Sequence, residues 1–208
     1  MKRGKFITIE GIEGVGKSTH MDRLVAHIEA QGVTVRRARE PGGTPTAERI
    51  REVVLGHTDE PVPAIAELLL MFAARALLVE NLIRPALSAG EWVVSDRFVD
   101  ASRAYQGGGR GVPMAKIDTL AEWVLGDLEP DLTILLDAPV ETGMARTGTR
   151  GNPDRLDSEH AEFYTRVRTA YRALADAHPQ RFVVVDASGS LEDVAAQIDT
   201  VGLSLFQK

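Results

Sequence analysis

The chain has no cysteine among its 208 residues. That excludes disulfides, thiolate metal sites and a cysteine nucleophile, and it fits a reducing compartment. Long hydrophobic runs are also missing. The first apolar stretch, Phe6 to Ile9, ends at Glu10, too short for a signal peptide or a membrane span, so a cytoplasmic protein is expected. Positive charge is in deficit: 24 Lys and Arg against 30 Asp and Glu leave a net charge of −6, which argues against nucleic acid as the main partner. No repeat, low-complexity tract or linker divides the chain. His20, His27, His57, His160 and His178 share no metal-ligand spacing that fits the expected elements.

What is present is an ordinary globular composition, 44% hydrophobic and 26% charged, in a chain long enough to bury about 70% of its unfolded surface. The pattern is punctuated by strands alternating with helices. Strands are expected at Phe6 to Ile9, from Val33, at Glu91 to Asp96, at Leu132 to Asp137 and at Arg181 to Asp186. Helices are expected at Lys17 to Gln31, Pro45 to Leu55, a long stretch from Pro63 that Pro85 kinks or ends, Lys116 to Leu125, from Pro139, Glu159 to Ala177, and Leu191 to Leu205. Such alternation predicts one α/β domain over residues 1–208, a doubly wound five-stranded parallel sheet with helices on both faces. Trp92 and Trp123 are expected to be packing residues.

The strongest signal is Gly11-Ile-Glu-Gly-Val-Gly-Lys-Ser18, between the first strand and the first helix. Glycines let successive backbone N–H groups wrap an oligophosphate, with the positive end of the helix dipole behind them. Lys17 is expected to reach the β and γ phosphates, and Ser18 to offer its hydroxyl to Mg²⁺. The chain therefore has a phosphate-loop NTPase fold. A GTPase would need a guanine-specifying Asn-Lys-x-Asp, which is absent.

Other candidates lie where the expected strands end. Asp96-Arg97 closes the third strand, where α/β sheets place ligand chemistry. Phe72 and Arg75, three apart on the long helix, share a face. Gly107-Gly-Gly-Arg-Gly111 lacks a strand-to-helix frame and is expected to be a flexible loop. Residues 146–156, with Arg146, Arg150 and Arg155 among small and turn residues, have no apolar periodicity and suggest a lid that closes on phosphates.

Taken together, the glycine loop with Glu13 inside it, Arg39-Glu-Pro-Gly-Gly-Thr44, Met71-Phe-Ala-Ala-Arg75, Asp96-Arg97, Ala104-Tyr-Gln-Gly-Gly-Gly-Arg-Gly111, Pro130-Asp-Leu-Thr and the loop ending Asp154-Arg155 resemble the bacterial thymidylate kinases. The resemblance runs from about residue 5 to the last helix. It implies transfer of the γ-phosphoryl group of ATP to dTMP, with Mg²⁺, by a homodimer. It assigns ATP to Gly11, Ile12, Glu13, Gly14, Val15, Gly16, Lys17, Ser18 and Thr19, with Arg146 and Arg150 from the lid, and the metal to Ser18 and Asp96. On the acceptor side it implies Glu40 and Pro41, Phe72 stacked on thymine, Arg75 bonded to the base, Arg97 on the phosphate, Ser102 and Gln106 as base or acceptor contacts, and Tyr105 where a ribose 2′-OH would lie. Lys17, Arg97, Glu13, Asp96 and a lid arginine, Arg150 first, are the implied catalytic residues. Two rivals stand beside this reading: a kinase for another monophosphate, dUMP being the hardest to separate, and a non-enzymatic nucleotide-responsive regulator.

Overall fold

The computed structural model describes residues 3–147, 155–156 and 159–206. Five parallel strands, β1 (Phe6–Glu10), β2 (Val35–Arg39), β3 (Trp92–Asp96), β4 (Leu132–Asp137) and β5 (Phe182–Asp186), form one sheet in the order β2-β3-β1-β4-β5. The central position of β1 follows from its sequence. All five of its residues are buried, as a strand covered on both faces requires. The chain leaves β1 toward β2 on one side and later crosses from β3 to β4 on the other, so β1 ends at the switch point where such sheets hold ligands.

The flanking helices are α1 (Lys17–Glu29), α2 (Pro45–Leu55), α3 (Ala64–Leu78), α4 (Arg84–Ser88), α5 (Val99–Ser102), α6 (Met114–Leu125), α7 (Val140–Thr147), α8 (Ala161–Ala177) and α9 (Leu191–Ser204). One apolar cluster joins Ile7 and Ile9 to Leu24, Ile28, Val167, Tyr171 and Ile198; another joins Phe6 and Val93 to Leu68, Leu78, Phe98 and Ile117. Among the described residues, no helix is long and apolar enough to cross a membrane.

Pro85 neither breaks nor visibly ends the long helix. A π-helical turn at Val79–Ile83 joins α3 to α4, a widening that accommodates a ring with no N–H and a bulky Cδ. The glycine cluster at 107–111 departs from expectation more sharply. Arg103–Gly109 continue α5 as a π-helical run packed on α8. A Cβ on Gly108 would lie 2.6 Å from the Ala170 methyl, and one on Gly109 would lie 2.4 Å from the Phe163 ring. These glycines serve a close helix contact, not a loose loop. Trp92 packs as expected, stacked on Phe206 at 5.2 Å, whereas Trp123 is 82% exposed on α6 and is not a core residue.

Candidate active site

The loop after β1 delivers α1 with its N-terminus at Lys17, and Gly16 holds the cap in a left-handed conformation at φ 87°. Gly14, at φ 75°, makes the closest approach: a Cβ there would lie 2.0 Å from the Gly143 carbonyl oxygen on α7. Only glycine lets α7 brace the loop. Lys17 is buried, and its Nζ donates to the carbonyl oxygens of Gly11 at 3.2 Å and Ile12 at 2.8 Å. Burial and the Arg97 charge lower its pKa to about 8, against the opposing pull of Asp96, Glu13 and Glu10. Facing it, Ser18 Oγ donates to Asp96 Oδ2 at 3.4 Å, and Asp96 Oδ1 is buried without a protein partner.

Arg97 is the hinge of the site. It is the non-glycine residue with positive φ, 72°, among the described residues, a conformation that costs an L-residue roughly 1–2 kcal/mol. Three bonds hold it there. Its N–H donates to the Ile9 carbonyl oxygen, its own carbonyl oxygen accepts from Ser95 Oγ, and the next N–H, that of Phe98, donates to Glu10 Oε1 at 2.7 Å. The strained turn aims the guanidinium back across the sheet end. There Nη2 donates to Glu13 Oε1 at 2.6 Å and to Tyr105 Oη at 2.9 Å, and Tyr105 donates to Glu13 Oε2 at 2.6 Å. Burial pushes the Glu13 carboxyl up, but the charges of Arg97 and Lys17 outweigh it and leave Glu13 below the usual carboxylate range.

Beyond Arg97 opens a narrow, partly enclosed cleft. Its walls include Glu40, Pro41, Arg75, Ser102, Tyr105 and Gln106, which the sequence had nominated. Arg75 is fully buried on α3. Its Nε donates to Glu40 Oε2 at 2.8 Å, and Nη2 donates to the Phe98 carbonyl oxygen at 3.1 Å and to Ser102 Oγ at 3.0 Å, while Nη1 has no protein partner. Burial raises the Glu40 carboxyl despite the Arg75 charge. Phe72 lies apart from the walls, its ring against the Arg75 guanidinium at 4.5 Å. Met71 takes the cavity position, because residues four apart are stacked on one helix face and Met71 is the one four before Arg75.

Some site residues were not singled out beforehand. Arg51, Leu55, Ala101 and Leu156 line the cavity, and Arg51 donates to the Pro41 carbonyl oxygen at 2.9 Å. A cation one and a half turns into the helix that follows the Glu40-Pro41 loop was the available signal for Arg51. Leu156 follows the arginine-rich stretch and carried no signal. Of that stretch, Arg146 donates to the carbonyl oxygens of Ala187 and Gly189, and Arg155 donates to the Val54 carbonyl oxygen and to Glu67. Arg150 and most of the expected lid lie outside the described residues.

The sequence matches the family model of thymidylate kinase over residues 9–198. A thymidylate kinase of Pseudomonas savastanoi pv. phaseolicola is 53% identical over 198 residues, covering 95% of this chain and 94% of that one. One from Methylobacillus flagellatus is 48% identical over 196 residues, covering 94% and 95%. The crystal structure of thymidylate kinase from Ehrlichia chaffeensis superposes with a TM-score of 0.77 at 30% identity, covering 99% of both chains. A strand-loop-helix phosphate site beside a polar cavity, matched along nearly the whole length, places this chain in the thymidylate kinase family.

Proposed function

We propose that the chain transfers the γ-phosphoryl group of ATP to dTMP, giving dTDP and ADP in dTTP synthesis. The observation that carries this reading is the position of Arg97, bonded to Glu13 of the phosphate loop on one side and to Tyr105 of the cavity wall on the other. A cation shared by two adjoining anion sites suits phosphoryl transfer, which asks a protein to align two anions and neutralise the charge between them. In this reading the loop N–H groups and Lys17 hold the ATP phosphates, and Arg97 holds the acceptor phosphate. Among the groups that line the cavity, Arg75 Nη1 and Gln106 Oε1 are buried without protein partners, a donor and an acceptor that suit the O4 and N3–H of thymine. Tyr105, tied down by Glu13 and Arg97, fills the space a 2′-OH would need. Arg146 and Arg150 complete the ATP side.

The donor set between Ser18 and Asp96 suits Mg²⁺. It consists of a hydroxyl and a carboxylate with one buried, unpaired oxygen, hard ligands that a small cation uses alongside nucleotide phosphates. When bound there, Mg²⁺ would neutralise charge on the phosphates. Among the described residues no cluster of three or more His, Cys, Asp or Glu is poised to hold a metal unaided.

Met71 supplies the apolar contact to the base in this site, with Phe72 supporting Arg75 from behind. Met71→Ala is expected to raise the KM for dTMP about tenfold, the transfer energy of a side chain losing most of its apolar contact, with the KM for ATP unchanged. An unchanged KM for dTMP would remove Met71 from the base site.

The chain pairs through α3. Ile65 and Leu69 are 45% and 52% exposed there, one turn apart on a helix whose opposite face is core. Leu69→Lys is expected to convert a dimer to a monomer by light scattering, since it buries a charge in an apolar contact. A variant that scatters as wild type does would place any interface elsewhere.

The test of the reaction is ADP release with ATP and Mg²⁺ across dTMP, dUMP, dCMP and UMP. Fast turnover with dTMP, about tenfold or more weaker with dUMP for the loss of one methyl contact, and negligible turnover with UMP are expected. ATP binding without acceptor-dependent ADP release would overturn the assignment in favour of a nucleotide-responsive regulator.

A further inference from the structure

Glu67 lies on α3 four residues before Met71 and eight before Arg75, so the three line one face of the helix. It is fully buried. Its Oε1 accepts from Gln106 Nε2 at 2.8 Å and Arg110 Nε at 3.4 Å; its Oε2 accepts from Arg155 Nη2 at 2.7 Å and Arg110 Nη2 at 3.3 Å. Burial pushes this carboxyl up, but the bonds from Gln106 and Arg155 and the charges of Arg110 and Arg155 outweigh it and hold Glu67 below the usual carboxylate range.

An ionised carboxylate accepts and cannot donate. Set beside Gln106, it admits the amide NH₂ and rejects the amide oxygen. Gln106 Oε1 is thereby left as the group without a protein partner, in the same cavity as the unpartnered Nη1 of Arg75.

We propose that Glu67 is a positioning residue for base discrimination: it locks the Gln106 amide so that an acceptor, never a donor, is offered to the base. The inference rests on the dTMP reading above. An acceptor next to a donor complements the O4 and N3–H of thymine or uracil. Cytosine presents the reverse pair, an N3 acceptor and an N4–H₂ donor, and would meet like against like. A freely turning amide could rotate its NH₂ toward cytosine N3. Glu67 forbids that rotation, because the amide oxygen would then face a buried carboxylate.

The test compares kcat/KM for dTMP and dCMP in wild type, Glu67→Gln and Gln106→Leu. Glutamine at 67 keeps the shape but offers both a donor and an acceptor, so the Gln106 amide regains its second orientation. Glu67→Gln is expected to lower the dTMP to dCMP preference at least tenfold, through the acceptor KM, with the ATP KM within twofold of wild type. A folded Glu67→Gln enzyme with wild-type preference overturns the proposal. If Gln106→Leu loses the preference while Glu67→Gln keeps it, the dTMP reading stands and the role of Glu67 falls. If wild type itself does not prefer dTMP over dCMP, the functional reading falls first.

Should Glu67→Gln not fold, for want of a charge partner to Arg110 and Arg155, the side-chain amide resonances of Gln106 in the wild-type protein with dTMP decide the matter. One slowly exchanging Nε2 proton, assigned by its loss in Gln106→Leu, supports the lock. Two freely exchanging protons overturn it.

Discussion

Arg97→Ala is expected to lower kcat/KM for dTMP about 10³-fold, the scale on which a cation or donor aimed at transferring phosphoryl charge acts, while ATP affinity stays within about threefold. The reason is the split of its contacts. The Arg97 N–H bonded to Ile9, the Arg97 carbonyl oxygen accepting from Ser95 Oγ and the Phe98 N–H bonded to Glu10 hold the turn, and the guanidinium alone reaches Glu13 and Tyr105. Alanine removes the guanidinium and keeps a residue with a Cβ at φ 72°. Arg97→Gly separates the two effects, since glycine adopts that φ without the roughly 1–2 kcal/mol penalty. Glycine at 97 should match or exceed the alanine variant in melting temperature and be just as inactive. Arg97→Lys keeps the charge but not the planar fork that bonds Glu13 and Tyr105 together, so it should recover only a small part of the rate. A large loss of ATP affinity in Arg97→Gly, with dTMP affinity unchanged, would move Arg97 from the acceptor site to the donor site.

Arg97 also shows how far the sequence could be read. Asp96-Arg97 at the end of an apolar strand was visible, because strand ends in a parallel sheet collect ligand chemistry. The phosphate loop was visible for the same kind of reason: its function lives in a contiguous pattern of glycines and one lysine. Five strands and their parallel arrangement followed from alternation alone. What escaped was set by contacts between distant segments. Gly108 and Gly109 read as a loop because glycine usually means freedom, yet here it allows α8 to touch the backbone. Trp123 read as core because its neighbours are apolar, but a helix pattern does not say which side has a partner. Phe72 stood out as the aromatic residue near Arg75, whereas the four-residue spacing that puts Met71 on the cavity wall is subtler than aromaticity. Glu67 and Glu10 carried no signal at all. Their importance comes from burial and from partners 39 and 161 residues away.

Glu10 leads to the second large effect, one of stability rather than rate. Its carboxyl is fully buried at the end of β1, with Oε1 accepting from Phe98 N–H and Oε2 from Tyr171 Oη at 2.7 Å. Burial and the nearby charge of Asp100 raise its pKa from 4.5 to about 8, against the opposing pull of the Tyr171 hydroxyl, the Arg97 charge and the Phe98 N–H. Between those two values the native state keeps a proton that the unfolded chain has given up. Stability from this group is therefore complete below about pH 4.5 and is lost as pH rises to about 8. The full shift corresponds to about 5 kcal/mol, at 1.36 kcal/mol for each unit, and some fraction of it will be relieved by relaxation around the charge. Glu10→Gln removes the titration and keeps the shape: its Oε1 can still accept from Phe98, and its NH₂ can donate to Tyr171. The expected result is a pair of denaturation curves that nearly coincide at pH 5 and separate as pH rises, the variant becoming the more stable by about 2–5 kcal/mol at pH 8.5. Because the Phe98 bond that holds the Arg97 turn survives, turnover at pH 7 should stay within about threefold of wild type. Curves that run parallel from pH 5 to pH 8.5 would mean that Glu10 ionises like an exposed carboxylate. A variant that follows the expected stability curve but loses turnover would mean that the charge of Glu10, and not only its oxygen, helps to set Arg97.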